Sequence, residues 1–209
     1  VNKKIKLADK TFQTWSRTNF ERKKTLMLQL AKELEQNKND YAMAITREMG
    51  KPISQAIAEI EKCAWVCEYY ANNAKSQLQS QEIKTDAKKS YVRFDPLGAI
   101  FAVMPWNYPF WQVFRFAVPS LMAGNVCLLK HSTNVMRSAE NIQQAFRNAG
   151  FPEGCFQNLI IKSSKVEDVI RNKRVKAVTL TGSKPAGSAV ASIAAEEIKK
   201  SVLELGGSN

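Results

Sequence analysis

The sequence predicts an α/β fold: a Rossmann-like open, mostly parallel sheet with helices on both faces, preceded by an N-terminal helical segment and a two-stranded β-ribbon. Three observations predict it. From Leu97 onward, short apolar runs alternate with amphipathic stretches, the pattern of a parallel sheet covered on both faces. Residues 1–80 are instead rich in Leu, Ala, Glu, Lys and Gln with helical periodicity. Residues 81–96 alternate polar and apolar around a polar turn.

In the helical segment, Leu26, Leu30 and Leu34 recur every fourth residue, and Leu28 and Ala31 are expected to widen the same stripe. Asn37 to Asp40 reads as a break, with Asp40 placed to cap a helix from Tyr41 to Met49. Gly50 stands where helices end, and Pro52 suits the first turn of a further helix reaching Gln79. Trp65, Tyr69 and Tyr70 within it are read as packing. Glu82 to Lys84 and Tyr91 to Phe94 are the two ribbon strands. Such a ribbon is marginal alone, so a partner subunit or a second domain is expected to cover it.

In residues 97–209, strands are expected at Ala99–Met104, Val126–Lys130, Phe156–Ile161, Ala177–Thr181 and Ser201–Leu205. Helices are expected at Phe110–Met122, Val135–Ala149, Lys165–Arg171 and Lys184–Ala195. Crossovers in such a sheet are right-handed, and ligands bind beyond the carboxyl ends of its strands. The residues just after each strand are therefore the functional candidates.

Composition narrows the function classes. The chain has 209 residues, 31 basic and 19 acidic, for a net charge of +12. Residues 1–97 carry 18 basic and 12 acidic groups and the rest carry 13 and 7. No basic arm concentrates the charge, so a nucleic-acid partner is not expected. No run approaches the ~18 apolar residues of a membrane span, and no leader pattern is present; no membrane partner is expected. His131 is the sole histidine and the four cysteines form no CxxC pair, so a metal site is not expected. Four thiols suit a reducing, cytoplasmic location.

Four strand ends carry candidate chemistry. After the first come Pro105-Trp106-Asn107-Tyr108-Pro109, where two prolines stiffen the segment that holds Asn107. Its amide could donate to a developing oxyanion, or serve only as a cap or turn residue. Lys130 ends the second strand and could meet ribose hydroxyls or phosphate, or simply be solvated. After the fourth, Gly182 permits a tight turn, Ser183 suits an N-cap and Pro185 the first helical turn; the helix start could receive a pyrophosphate. Glu204 lies within the last apolar strand, and is either paired, exposed, or raised in pKa as a general base requires.

Together these residues resemble the aldehyde dehydrogenase superfamily in order and spacing. The resemblance runs from Glu48-Met49-Gly50-Lys51-Pro52 through Gly98, Pro105-Trp106-Asn107-Tyr108-Pro109, Lys130 and Thr181-Gly182-Ser183 with Gly187, to Leu203-Glu204-Leu205-Gly206-Gly207. Lys130-His131-Ser132-Thr133-Asn134-Val135-Met136 and the Leu-Glu-Leu-Gly-Gly-Ser ending resemble the bacterial NAD(P)-dependent succinate-semialdehyde dehydrogenases.

The resemblance implies a mechanism and roles. A cysteine thiolate attacks the aldehyde, hydride passes to NAD or NADP, and water hydrolyses the thioester. Asn107 would hold the aldehyde oxygen, and Glu204 would activate the cysteine or the water. Lys130 would bind the adenosine ribose, Gly182 and Ser183 the pyrophosphate, Gly187 would allow close packing there, and Trp106 would border the cofactor. Arg115, eight residues after Asn107 on the following helix, would grip a distal carboxylate, as of succinate semialdehyde. Thr133 replaces a glutamate that relatives use on the ribose 2′-hydroxyl, so NADP should be tolerated. Lys162-Ser163-Ser164-Lys165 replaces a glycine-rich turn and adds positive charge near the adenosine end. The ribbon resembles the family's oligomerisation strands and implies a homodimer or homotetramer. The nucleophile follows the glutamate by a few tens of residues in relatives, and none of Cys63, Cys67, Cys127 or Cys155 stands there. The chain is thus expected to be cut at both ends, to lack the catalytic domain and to be inactive alone. A non-catalytic nucleotide-binding module is the alternative.

Overall fold

The computed structural model describes residues 1–207; Ser208, at the end of the Leu-Glu-Leu-Gly-Gly-Ser run, lies outside them. Four helices come first: α1 (Asn2–Trp15), α2 (Phe20–Gln36), α3 (Lys38–Met49) and α4 (Ile53–Gln77). The break between α1 and α2 was not read from the sequence; it falls where Asn19 caps α2 by accepting from Arg22 N at 2.8 Å. The stripe of Leu26, Leu30, Ala31 and Leu34 is buried, but Leu28 is 38% exposed. Two residues past Leu26 is more than half a helical turn, so Leu28 faces water. The chain breaks only at Asn37, and Asp40 sits in the first turn of α3 rather than at its cap. Gly50 ends α3 in the left-handed region (φ 74°).

The ribbon is β1 (Gln81–Glu82) against β2 (Tyr91–Val92), shorter than expected. The core follows as β3 (Ala99–Met104), α5 (Trp111–Met122), β4 (Val126–His131), α6 (Met136–Asn148), β5 (Phe156–Asn158), α7 (Val166–Ile170), β6 (Val175–Gly182), α8 (Lys184–Glu196) and β7 (Lys200–Leu205). All five core strands are parallel, in the order β5-β4-β3-β6-β7. The order reverses between β3 and β6, so the crevice for a ligand lies where the loops after these two strands part.

Helices of the N-terminal segment share the core of the sheet. Trp15 is buried and its Nε1 donates to Leu121 O at 3.1 Å. At the centre, Phe146 stacks on Phe156 (centroids 4.4 Å) and Phe114 (5.6 Å) and meets Phe151 edge-on (5.2 Å). This cluster joins α5, α6 and β5, which anchors the β5 end of the sheet. Replacing Phe146 by alanine should cost about 3–5 kcal/mol. Urea unfolding measures it, and a loss under about 1 kcal/mol would mean the cluster contributes little beyond area.

Candidate active site

Side chains of a strand alternate between faces, and neighbours in register share a face. Lys130, Val103, Leu180 and Leu203 are in register across four strands. They point to the face that carries α8. Met104, His131, Thr181 and Glu204 are each one residue further on and point to the face that carries α5. Lys130 and the end of β7 are three strand spacings apart, ~14 Å. The carboxyl edge thus has two sides, with Lys130 on one and Glu204 on the other.

On the first side, the Lys130 stem is buried while its ammonium reaches water at the edge, and burial lowers its pKa. It forms no ion pair among the described residues. A lysine so placed buries its stem and keeps its charge at the surface, where it can meet an anion. Three longer helices start at this edge, and two are already filled. Glu48 accepts from Arg137 N (2.6 Å) and Ser138 N (2.8 Å) at α6. Glu59 Oε1 accepts from Phe110 N (2.9 Å) and Trp111 N (3.0 Å) at α5. The start of α8 has Ser183 at its N-cap, yet the serine makes no capping hydrogen bond. Its first N–H groups remain for an anion. Gly187 is buried and a Cβ there would collide with the Leu205 side chain. The close packing it allows is therefore to β7. Thr133 and Ser183 are exposed, and Gly182 is partly so. Lys165 does not stand free at the adenosine end; it pairs with Asp168 at 2.9 Å.

On the other side, a cleft of about 640 Å³ is lined by Met104, Trp111, Arg115, Thr181, Val202 and Glu204, together with Trp65 and Tyr69 of α4. Trp65 is 56% and Tyr69 40% exposed, so these aromatics wall the cleft instead of packing inside. Arg115 Nη2 lies 3.2 Å from Glu204 Oε2. Glu204 is therefore paired and half-exposed, two of the three states open to it. Residues 105–110 are not helical, so Arg115 is aimed by its own helix: it stands one turn beyond Trp111 and shares its face.

Asn107 and Trp106 are exposed on the loop between β3 and α5. Asn107 Oδ1 accepts from Tyr108 N at 3.1 Å, which leaves its Nδ2 as the donor. The loop is held from below. Lys51 pairs with the buried Glu59 and lies 3.7 Å from the Tyr108 ring centroid. His131 Nδ1 accepts from Ser132 N (2.9 Å), so its Nε2 carries the proton and donates to Pro109 O (2.9 Å). Glu48, Glu59, Lys51 and His131 were not singled out from the sequence as functional. The signals were the Glu48–Pro52 and Lys130–Met136 runs within the resemblance, and neither contains Glu59.

The four cysteines are buried. Burial pushes the Cys63, Cys67 and Cys127 thiols well up and that of Cys155 to about 12. None is a ready thiolate. Among the described residues no group of three or more His, Cys, Asp or Glu could hold a metal, and no helix is long and apolar enough to cross a membrane.

The sequence matches the aldehyde dehydrogenase family model over residues 1–209. The chain belongs to the aldehyde dehydrogenase family. A Synechocystis family member named "Probable succinate-semialdehyde dehydrogenase (NADP+)" is 51% identical over 209 residues, all of this chain and 46% of its own length. The NADP+ succinate-semialdehyde dehydrogenase 1 of Mycobacterium ulcerans is 46% identical over 213 residues, again covering this whole chain and 46% of its own length. Among solved structures, succinic semialdehyde dehydrogenase from Streptococcus pyogenes in complex with NADP+ superposes with a TM-score of 0.96 at 35% identity, covering 99% of this chain and 46% of that one. The chain thus spans about half the length of these family members.

The site makes a pH prediction through His131. Burial lowers its pKa below the usual 6.5 despite the bond to Pro109 O. The unfolded chain binds this proton more readily than the folded one. Stability from His131 is therefore present above pH ~6.5 and lost as pH falls through that value. The urea midpoint should drop between pH 7.5 and 5.5, and His131→Asn should flatten the drop. An equal drop in both proteins would place the titration elsewhere.

Proposed function

We propose that the chain binds NADP, and tolerates NAD, along the carboxyl edge of its sheet, and presents Asn107 and Glu204 to an aldehyde with a distal carboxylate. The favoured substrate is succinate semialdehyde, oxidised to succinate. The observation that carries this reading is Lys130: a cation on a buried stem, without an acidic partner among the described residues, on the face of the long helix start at that edge left without a side-chain cap.

Lys130 and Thr133 would hold the adenosine ribose and its 2′-phosphate, with no carboxylate at 133 to repel it. Gly182, Ser183 and the first N–H groups of α8 would hold the pyrophosphate, and Trp106 would border the rest. When bound, the dinucleotide supplies the hydride acceptor. On the other side, Asn107 Nδ2 donates to the aldehyde oxygen as negative charge develops there. Glu204 accepts the proton of the attacking thiol or water. Arg115 grips the distal carboxylate. The names and bound cofactor of the relatives support this choice of substrate and dinucleotide. The buried state of all four cysteines supports a nucleophile from outside residues 1–209. The exposed ribbon, with Tyr91 and Val92 open to solvent, supports self-association as a homodimer or homotetramer.

Calorimetric titration of the chain with NADPH tests the reading. Lys130→Met should weaken binding roughly ten- to a hundredfold, the worth of one charge-assisted hydrogen bond, without loss of folding stability. An unchanged Kd would remove Lys130 from the site and take the reading's main support with it.

A further inference from the structure

Arg115 and Glu204 face each other across the cleft, Nη2 to Oε2 at 3.2 Å. Neither has another ion-pair partner among the described residues. The cleft around them is mainly aromatic and aliphatic, with Trp65, Tyr69, Met104 and Val202 in its walls. The other cation lining it, Lys200, is four residues before Glu204 on β7, ~13 Å along the strand. It cannot reach the same carboxylate. Glu204 is the one acid lining the cleft among the described residues, so the guanidinium that suits a substrate carboxylate is held by a carboxylate of the chain itself.

We propose that Arg115 is a latch on Glu204 as well as a grip on substrate: a carboxylate-bearing aldehyde takes the guanidinium and thereby frees Glu204 to act as base. The inference rests on the roles given to these two residues under the proposed function. Its physical basis is competition. A second carboxylate beside Arg115 lies within the few ångströms at which like charges oppose each other, so substrate competes with Glu204 for the guanidinium and weakens its hold. Binding of the correct substrate then breaks the ion pair and releases the Glu204 side chain toward the reacting end. An uncharged aldehyde leaves the pair intact and meets a tethered base. Recognition of the carboxylate would then raise kcat, beyond its effect on KM.

The pair is partly exposed, with side-chain exposures of 34% and 54%, so the latch is weak and its release is worth roughly two- to fivefold in rate. The test uses the natural gene product that contains residues 1–209, assayed with NADP. Wild-type enzyme oxidises propanal with and without added acetate, against chloride at the same ionic strength. Acetate should raise kcat for propanal roughly two- to fivefold. Arg115→Gln should oxidise propanal at the raised rate already and ignore acetate, while losing its preference for succinate semialdehyde. Acetate that leaves wild-type kcat unchanged or only inhibits overturns the latch, and this arm needs no variant to fold. If Arg115→Gln then still loses the preference, the grip stands without the latch. If the preference survives in Arg115→Gln, grip and latch both fall.

Discussion

The buried pair of Lys51 and Glu59 is the interaction on which the rest of the site depends. Their side chains are 6% and 1% exposed. Two charges taken out of water are stable only when paired and when their remaining hydrogen-bonding capacity is used. Here it is used well. One carboxylate oxygen of Glu59 meets Lys51 and the other takes the amides of Phe110 and Trp111, the N-cap and first residue of α5. Lys51 in turn lies under the Tyr108 ring. The pair therefore fixes where α5 starts and how the loop bearing Trp106 and Asn107 leaves β3.

From that anchor the two sides of the edge follow. Acids of the N-terminal helices fill the starts of α5 and α6, and the start of α8 has no side-chain cap. His131 ties the loop after β3 to the end of β4. Strand alternation then separates Lys130 from the cleft of Arg115 and Glu204. On the proposed reading, a dinucleotide on one side and an aldehyde on the other would meet at the loop that Glu59 and His131 hold. The helical segment is thus part of the site's construction even though it contributes few side chains to its surface.

Much of this was legible in the sequence. The parallel sheet showed in the apolar runs, because each strand carries its own local pattern. Pro105 to Pro109 and the run around Glu204 marked two strand ends through residue types that are unusual there. What escaped notice depends on distance along the chain. Glu59 caps a helix 51 residues away and Glu48 one 89 residues away; no local window contains both partners. Trp65 and Tyr69 looked like core because aromatic residues at helical spacing usually are, and only the open half of the sheet face beside β6 and β7 leaves them in a cleft. Leu28 looked like part of a stripe by type and fell outside it by angle. Lys130 was placed correctly at a strand end, but its burial without an acid could be seen only once the surrounding strands were in place.

Glu59 holds the start of α5 and, through it, the loop of Asn107. Amide hydrogen exchange of the Lys51→Met, Glu59→Leu double variant tests this most directly, since apolar replacement of both partners preserves the core. The Phe110 and Trp111 amides should be protected in the native chain and exchange close to unprotected rates in the variant, while the amides of β3, β4 and β6 keep their protection. Continued protection of both amides in the variant would contradict the account.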